Sequence, residues 1–284
     1  MSPIVPISPE IIGDREKFLL YGEPGMGKTF TALTLPEPIL FVAVGGSNEA
    51  KTYYSEHFQK KYGKKEIFLA VAEESLGPMG RVEIPEGFDN VCRILDEALD
   101  GDAQGVQEFA SIVVDNATVL SEYAMYKAVY IDYRGRKVDK QSDATYTKYM
   151  AEGLLFPFDS DWGGTQSLMR KFVSWLFRID KNLAFVAHEY KETVPNRAKQ
   201  GSDIIGLKPQ FIGKDRDMVA NQFDNVWHFS RNGQQYVART EPQGQDPRII
   251  AKTRIGGIIP RNYPDANLSD CIAKFRKHSG SVKT

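Results

Sequence analysis

Residues 22 to 29 read Gly22-Glu23-Pro24-Gly25-Met26-Gly27-Lys28-Thr29, fixed glycines followed by a lysine and a threonine. No other feature constrains the chain so tightly, because such a loop works only between a strand and a helix. The glycines let the backbone curl until successive amide N–H groups converge, and a helix starting near Lys28 aims its positive dipole end at the same point. Both flanks comply. Lys17-Phe18-Leu19-Leu20-Tyr21 is a short apolar run that stops at glycine, and Thr29 to Leu35 reads as a helix ended by Pro36. Converging amides call for phosphate oxygens. Lys28 then reaches the β- and γ-phosphates of a nucleoside triphosphate while the Thr29 hydroxyl ligates magnesium. The predicted nucleotide-binding stretch runs from Gly22 through Phe30, with ATP and Mg2+ as cofactors.

A loop of this type needs a second acidic group at the end of an apolar strand, where its carboxylate holds the magnesium through water. Ser111-Ile112-Val113-Val114-Asp115 fits, so Thr29 and Asp115 are the predicted metal pair, and Asp115 can also cap a helix starting near Ala117. Asn116 follows, where many such ATPases carry the glutamate that activates the attacking water. The base must then come from elsewhere.

The rest of the chain alternates strand and helix. Ile39 to Val44 reads as a buried strand and Ile67 to Ala72 as a third strand, Asn90 to Leu99 places Val91, Ile94, Leu95 and Ala98 on one helical face, and Ala110 to Val114 gives a fourth strand. Ser167 to Arg178 reads as an amphipathic helix with Phe172 and Trp175 in the core, and Leu183 to Ala187 as a fifth strand. This rhythm implies an α/β fold with a mainly parallel sheet covered by helices on both faces. Residues 131 to 166, rich in charge and tyrosine, break it as a long insertion, and 191 to 215 form a second irregular stretch. Three short runs follow, Asn225 to Phe229, Gln235 to Thr240 and Arg248 to Thr253, whose spacing suggests antiparallel edge strands near the C-terminus. Residues 1 to 257 form one domain, and the tail from 258 to 284 is a short docking helix or a disordered basic end. Tyr123, Tyr126, Tyr130 and Tyr133 recur at helical spacing, a pattern of packing more than of base stacking.

With 36 Lys and Arg against 37 Asp and Glu, the chain has no global field that would coat nucleic acid, so any such contact must be local. Cys92 and Cys271 are too few and too far apart for a disulfide framework, which fits a reducing cytoplasm. No apolar run approaches the ~18 residues of a membrane span, and no export signal opens the chain.

Five motifs in this order resemble the RecA-like ATPases of bacteriophages, in particular the Sak-four group of single-strand annealing and recombination proteins. They are Gly22 to Thr29, Ile112 to Asp115, Asp161-Trp162-Gly163, Phe185-Val186-Ala187-His188-Glu189 and Ala251-Lys252-Thr253-Arg254, spread over residues 17 to 257. The resemblance implies a RecA-like P-loop NTPase core and Mg-dependent ATP hydrolysis, with slow turnover if no base serves. It implies single-stranded DNA as partner, a homo-oligomer in ring or filament form, and a possible single-strand DNA-binding protein nearby. His188 looks like the polar sensor of the γ-phosphate, against a purely structural histidine. Lys191, Arg197 and Lys199 in the following loop become candidate DNA contacts, against a merely solvated loop. Lys252 and Arg254 would reach the nucleotide of a neighbouring subunit, against a gatekeeper role at a sheet edge. Such enzymes place a glutamate just past the second strand, and Glu49 is the candidate base, ahead of Glu73 and Glu74. Two other readings stay open: a ring-forming DNA helicase or translocation motor, and a nucleotide-switched interaction protein with little turnover.

Overall fold

The computed structural model describes residues 15–75, 84–99, 108–136, 159–196, 201–212, 215–233, 235–242, 248–254 and 256–281. Ten strands form, β1 (Lys17–Gly22), β2 (Ile39–Val44), β3 (Ile67–Ala72), β4 (Ser111–Asp115), β5 (Asn182–Ala187), β6 (Glu189–Asn196), β7 (Gly201–Pro209), β8 (Asn225–Asn232), β9 (Gln235–Arg239) and β10 (Asn262–Pro264), among the described residues. The helices are α1 (Lys28–Ala32), α2 (Glu56–Tyr62), α3 (Gly87–Leu99), α4 (Ala117–Arg136), α5 (Asp159–Leu176), α6 (Asp215–Gln222) and α7 (Leu268–Ser281). Eight strands build one sheet in the order β10-β9-β8-β1-β5-β4-β2-β3, and β6 and β7 pair separately. From β3 to β8 the pairings are parallel, while β9 and β10 each pair antiparallel with the strand before them in the sheet.

Strands β1, β2, β4 and β5 are buried along their whole length, which explains their unbroken apolar runs. Alternate side chains feed two cores. Leu19, Tyr21, Ile112, Val114, Leu183 and Phe185 pack under α3, α4, α5 and α6, and Phe18, Leu20, Val113, Ala184 and Trp227 pack under α1, α2 and α7. In α3, Val91 and Leu95 are fully buried with Ile94 and Ala98 beside them, as the helical spacing predicts. Phe172 is buried and Trp175 packs against the same core, while Tyr123 is buried with its hydroxyl accepting from the Glu74 amide at 3.1 Å.

Three expectations need correction. The stretch after β5 is not irregular, because β6 and β7 form an antiparallel hairpin paired from Glu189↔Pro209 to Asn196↔Gly201. Its residues are largely exposed, so no apolar run marked it. The run Asn225 to Phe229 joins the parallel set beside β1 and turns antiparallel only toward β9. The run Arg248 to Thr253 makes isolated bridges, Leu207↔Ile249 and Val226↔Lys252, in place of a strand. The reason is room at the ladder: β9 occupies the edge of β8 from His228 onward, leaving Lys252 only the position opposite Val226. Beyond residue 257 lie β10 and α7, whose Leu268, Cys271, Ile272 and Phe275 are buried under the sheet. Of the expected insertion at 131–166, the two ends continue α4 and begin α5, and 137–158 lie outside the described residues.

Candidate nucleotide-binding site

The parallel strands bring four segments to one edge of the sheet, the end of parallel α/β sheets at which ligands bind. Tyr21 is in register with Ala187, and Asp115 with both Val186 and Ala43, so the glycine-rich loop, Asp115, His188 and the turn after β2 lie side by side. Because β5 lies between β1 and β4, His188 at its end sits between the loop and Asp115.

The loop is shaped by its glycines at two places. A side chain at Gly22 would meet the Phe229 carbonyl oxygen at 2.4 Å, and Gly27 caps α1 at φ 84°, with the Tyr236 ring 3.3 Å from where a Cβ would stand. Lys28 is 6% exposed and donates to the carbonyls of Gly22 (2.9 Å) and Glu23 (2.8 Å). Burial pulls its ammonium down to about 8, against the pull of the Asp115, Glu189 and Glu23 carboxylates. Thr29 donates to Asp115 Oδ2 at 2.5 Å. Burial pushes the Asp115 carboxyl up to about 7, and the nearby Glu49 charge adds to the rise, while the Thr29 hydroxyl and Lys28 oppose it. A hydroxyl and a carboxylate in contact are hard oxygen donors, the set that suits magnesium.

A cavity of about 430 Å³ opens beside the loop, walled by Phe30, Glu49, His57, Phe229, Tyr236 and Asp265 among others. Phe30 and His57 stack at 5.4 Å between ring centres. Glu49 lies in the single turn Asn48–Thr52 that follows β2, on the wall of this cavity. Glu74 is committed elsewhere, since its two oxygens accept the Glu86 and Gly87 amides at the start of α3.

His188 belongs to a network unseen in the sequence. The Asn116 side-chain oxygen accepts from the Thr118 amide at 2.8 Å, which leaves the Asn116 NH2 to donate to His188 Nε2 at 2.6 Å. Burial, helped by the Lys28 charge, lowers the His188 pKa and keeps the ring neutral, as an acceptor must be. Thr118 Oγ1 accepts from the His188 amide (2.9 Å) and donates to the Gln210 carbonyl (2.9 Å), and the Gln210 amide donates to the His188 carbonyl (2.8 Å). Both feet of the β6–β7 hairpin therefore stand on the residues beside Asp115. Two further ties join the hairpin to the loop region. Glu189 Oε2 lies 2.6 Å from His228 Nε2, both side chains being 5% exposed, and Lys191 forms an ion pair with Glu23. The pairing of Glu189, quoted above only as the end of a motif, with His228 is not legible in the sequence. The available signal was a histidine in the middle of the apolar run that becomes β8.

Lys191 thus has a partner in the loop, and Lys208 pairs with Glu192 and Asp217. Arg197, Lys199 and Lys214 lie outside the described residues. Lys252 and Arg254 stand away from the loop of their own chain. Lys252 is opposite Val226, three residues along β8 from Phe229, the partner of Gly22, or roughly 10 Å. There the Lys252 ammonium donates to the Asn221 carbonyl at 3.1 Å, and Arg254 lies 3.8 Å from Glu16.

A phosphate loop after β1, a carboxylate at the end of β4 and a parallel sheet running into antiparallel edge strands define a P-loop nucleotide-binding protein of RecA-like fold. The sequence matches the AAA domain family over residues 14–255, and the chain belongs to that family. Among solved structures it is similar to the KaiC-like protein PH0186 from the hyperthermophilic archaeon Pyrococcus horikoshii OT3, with 12% identity and a TM-score of 0.36 over 82% of this chain and 81% of that one. No curated protein matches the sequence. Among the described residues, no helix is long and apolar enough to cross a membrane.

Proposed function

We propose that this protein is a magnesium-dependent ATPase that uses the state of its nucleotide to control how the β6–β7 hairpin holds single-stranded DNA. The observation that carries the proposal is the chain of hydrogen bonds from Asn116 through His188 and Thr118 to Gln210, which joins the end of β4 to both feet of the hairpin. The triphosphate would lie along the amides of Gly22 to Thr29 with Lys28 on its outer phosphates, and the base would enter the cavity beside Phe30, His57 and Tyr236. Magnesium held by Thr29 and, through water, Asp115 would neutralise charge on the phosphates. Glu49, on the cavity wall and near enough to Asp115 to raise its pKa, is the proposed base, which would take the proton as a water oxygen bonds to the γ-phosphorus and the bond to the β-phosphate oxygen breaks.

For the DNA partner, support comes from the motif order and from the hairpin itself. Val194, Ile204 and Ile205 are exposed on it and offer apolar contact, and in sequence Arg197 and Lys199 fall between its two strands and could meet phosphates. A role in phage recombination or strand annealing, in a ring or filament whose Lys252 and Arg254 serve a neighbouring site, rests on the resemblance of the motifs alone. The second reading, a nucleotide switch with little turnover, is favoured by Asn116, an amide engaged with His188 at the position of the usual catalytic glutamate.

Fluorescence anisotropy of a labelled single-stranded oligonucleotide with Mg-ATP, Mg-ADP or no nucleotide tests the coupling. The expected result is an affinity that differs at least several-fold between ATP and ADP. Equal affinity in all three conditions would remove the proposal.

A further inference from the structure

A further strand end reaches the edge of the sheet that carries the phosphate loop. β10 pairs antiparallel with β9, and β9 antiparallel with β8, which runs parallel to β1, so β10 also points toward that edge. The register fixes how far it reaches. Pro264 lies opposite Val237, Val237 opposite Ser230, and Gly22 opposite Phe229, so Asp265 emerges just beyond the level at which the loop begins. In the sheet order β10 stands three strands from β1, on the side away from β4, or roughly 14 Å. Asp115 and Asp265 therefore flank the phosphate loop from opposite sides.

Asp265 lines the same cavity as Lys28, Phe30, His57 and Tyr236. Among the described residues it is the one residue other than glycine with a left-handed backbone, at φ 47°, a conformation that aspartate and asparagine adopt more readily than other side chains. Its amide donates to the Tyr236 carbonyl at 3.1 Å, and the Tyr236 ring lies beside Gly27 of the loop. One residue thus connects the Asp265 turn to the phosphate loop.

The surroundings of the carboxylate set what it can take. Oδ2 lies 3.4 Å from the Lys61 ammonium, which itself stands over the Phe30 ring at 5.9 Å, and among the described residues Oδ1 has no partner. With the Asp265 side chain 51% accessible, this ion pair contributes little to stability. A carboxylate oxygen accepts from N–H and repels a carbonyl oxygen. Phe30 and Tyr236 offer ring faces to a purine on the same wall. Guanine presents its ring N–H and its amine side by side, a pair that needs both carboxylate oxygens, whereas the amine at C6 of adenine needs only one.

We propose that Asp265 selects the nucleobase: it accepts a hydrogen bond from the C6 amine of adenine and turns away purines that carry a carbonyl there. Phosphates on the loop and a purine edge at Asp265 are then the two ends of one extended nucleotide. The inference rests on the reading of this cavity as the nucleotide site and adds to it the choice among nucleotides.

The test is competition of ATP, inosine triphosphate and GTP against a ribose-labelled ATP on the full chain, since the inosine nucleotide replaces the C6 amine of ATP by a carbonyl. Wild type is expected to bind ATP roughly tenfold more tightly than either of the others. Asp265→Asn tolerates the left-handed backbone and can offer an amide N–H to a carbonyl. It is expected to weaken ATP, strengthen inosine triphosphate and close most of the gap. Lys28→Ala, which acts on the phosphates, is expected to weaken all three alike. Equal binding of ATP and inosine triphosphate to wild type, or an unchanged ratio in Asp265→Asn, would overturn the proposal. If Lys28→Ala still weakens both, the nucleotide reading stands without it, whereas a wild type that binds none of the three removes both.

Discussion

Asn116 Nδ2 lies 2.6 Å from His188 Nε2, so the residue after Asp115, the carboxylate proposed to hold magnesium, touches the residue from which the hairpin springs. This contact makes the position of β4 and the position of the hairpin interdependent. His188→Ala is expected to keep nucleotide affinity within about two- to threefold and to lose most of any response of hydrolysis to single-stranded DNA. A roughly 0.5–1.5 kcal/mol hydrogen bond is removed from the coupling path, while Lys28 and Thr29 keep their roles. Steady-state rates with and without DNA check it, and an undiminished response would remove His188 from the path.

Lys28 gives a pH dependence with a definite sign. Burial holds its pKa near 8 in the free protein, and a bound triphosphate raises it, so binding takes up a proton above pH 8. Above pH 8 the loss of the Lys28 charge is expected to lower affinity by up to about tenfold per pH unit. Titrations with a fluorescent nucleotide at several pH values measure this, and calorimetry in buffers of different ionisation enthalpy detects the proton.

Asp115 predicts a trade between stability and function. Its folded pKa of about 7 lies above the ordinary carboxyl value of 3.8, so stability from this group is greatest below about 4 and is lost as pH rises to 7. Asp115→Asn removes the buried charge while its amide oxygen still accepts from Thr29. The variant is expected to melt a few degrees higher at pH 8 without nucleotide and to lose the magnesium dependence of nucleotide binding. A lower melting temperature would show that the charge is better compensated than its burial implies.

Phe275, 2% exposed in α7, joins this helix to the core under Phe18 and Trp227. Phe275→Ala is expected to cost about 3–5 kcal/mol, the usual price of an emptied aromatic site. Urea unfolding measures it, and a loss under 1 kcal/mol would mean that α7 contributes little to the fold.

What the sequence disclosed was whatever is local in the chain. The phosphate loop is eight consecutive residues whose chemistry needs no partner, and β1, β2, β4 and β5 announce themselves because burial on both faces demands unbroken apolar runs. The hairpin was missed because it stands apart from the main sheet, exposed over much of its length, and so has no apolar signature. Asn116 with His188, and Glu189 with His228, are joined only by the sheet order, across 72 and 39 residues of sequence. Lys252 shows the reverse failure. Its alternation with Arg254 looked like a strand, but the ladder beside Val226 has room for one residue.

Steady-state hydrolysis of Mg-ATP by the full chain, alone, with single-stranded DNA and with duplex DNA, and with Lys28→Ala as control, tests the central claim most directly. The predicted result is turnover that single strands stimulate more than duplex and that Lys28→Ala abolishes. Tight nucleotide binding with no turnover under any of these conditions would contradict it and leave a switch.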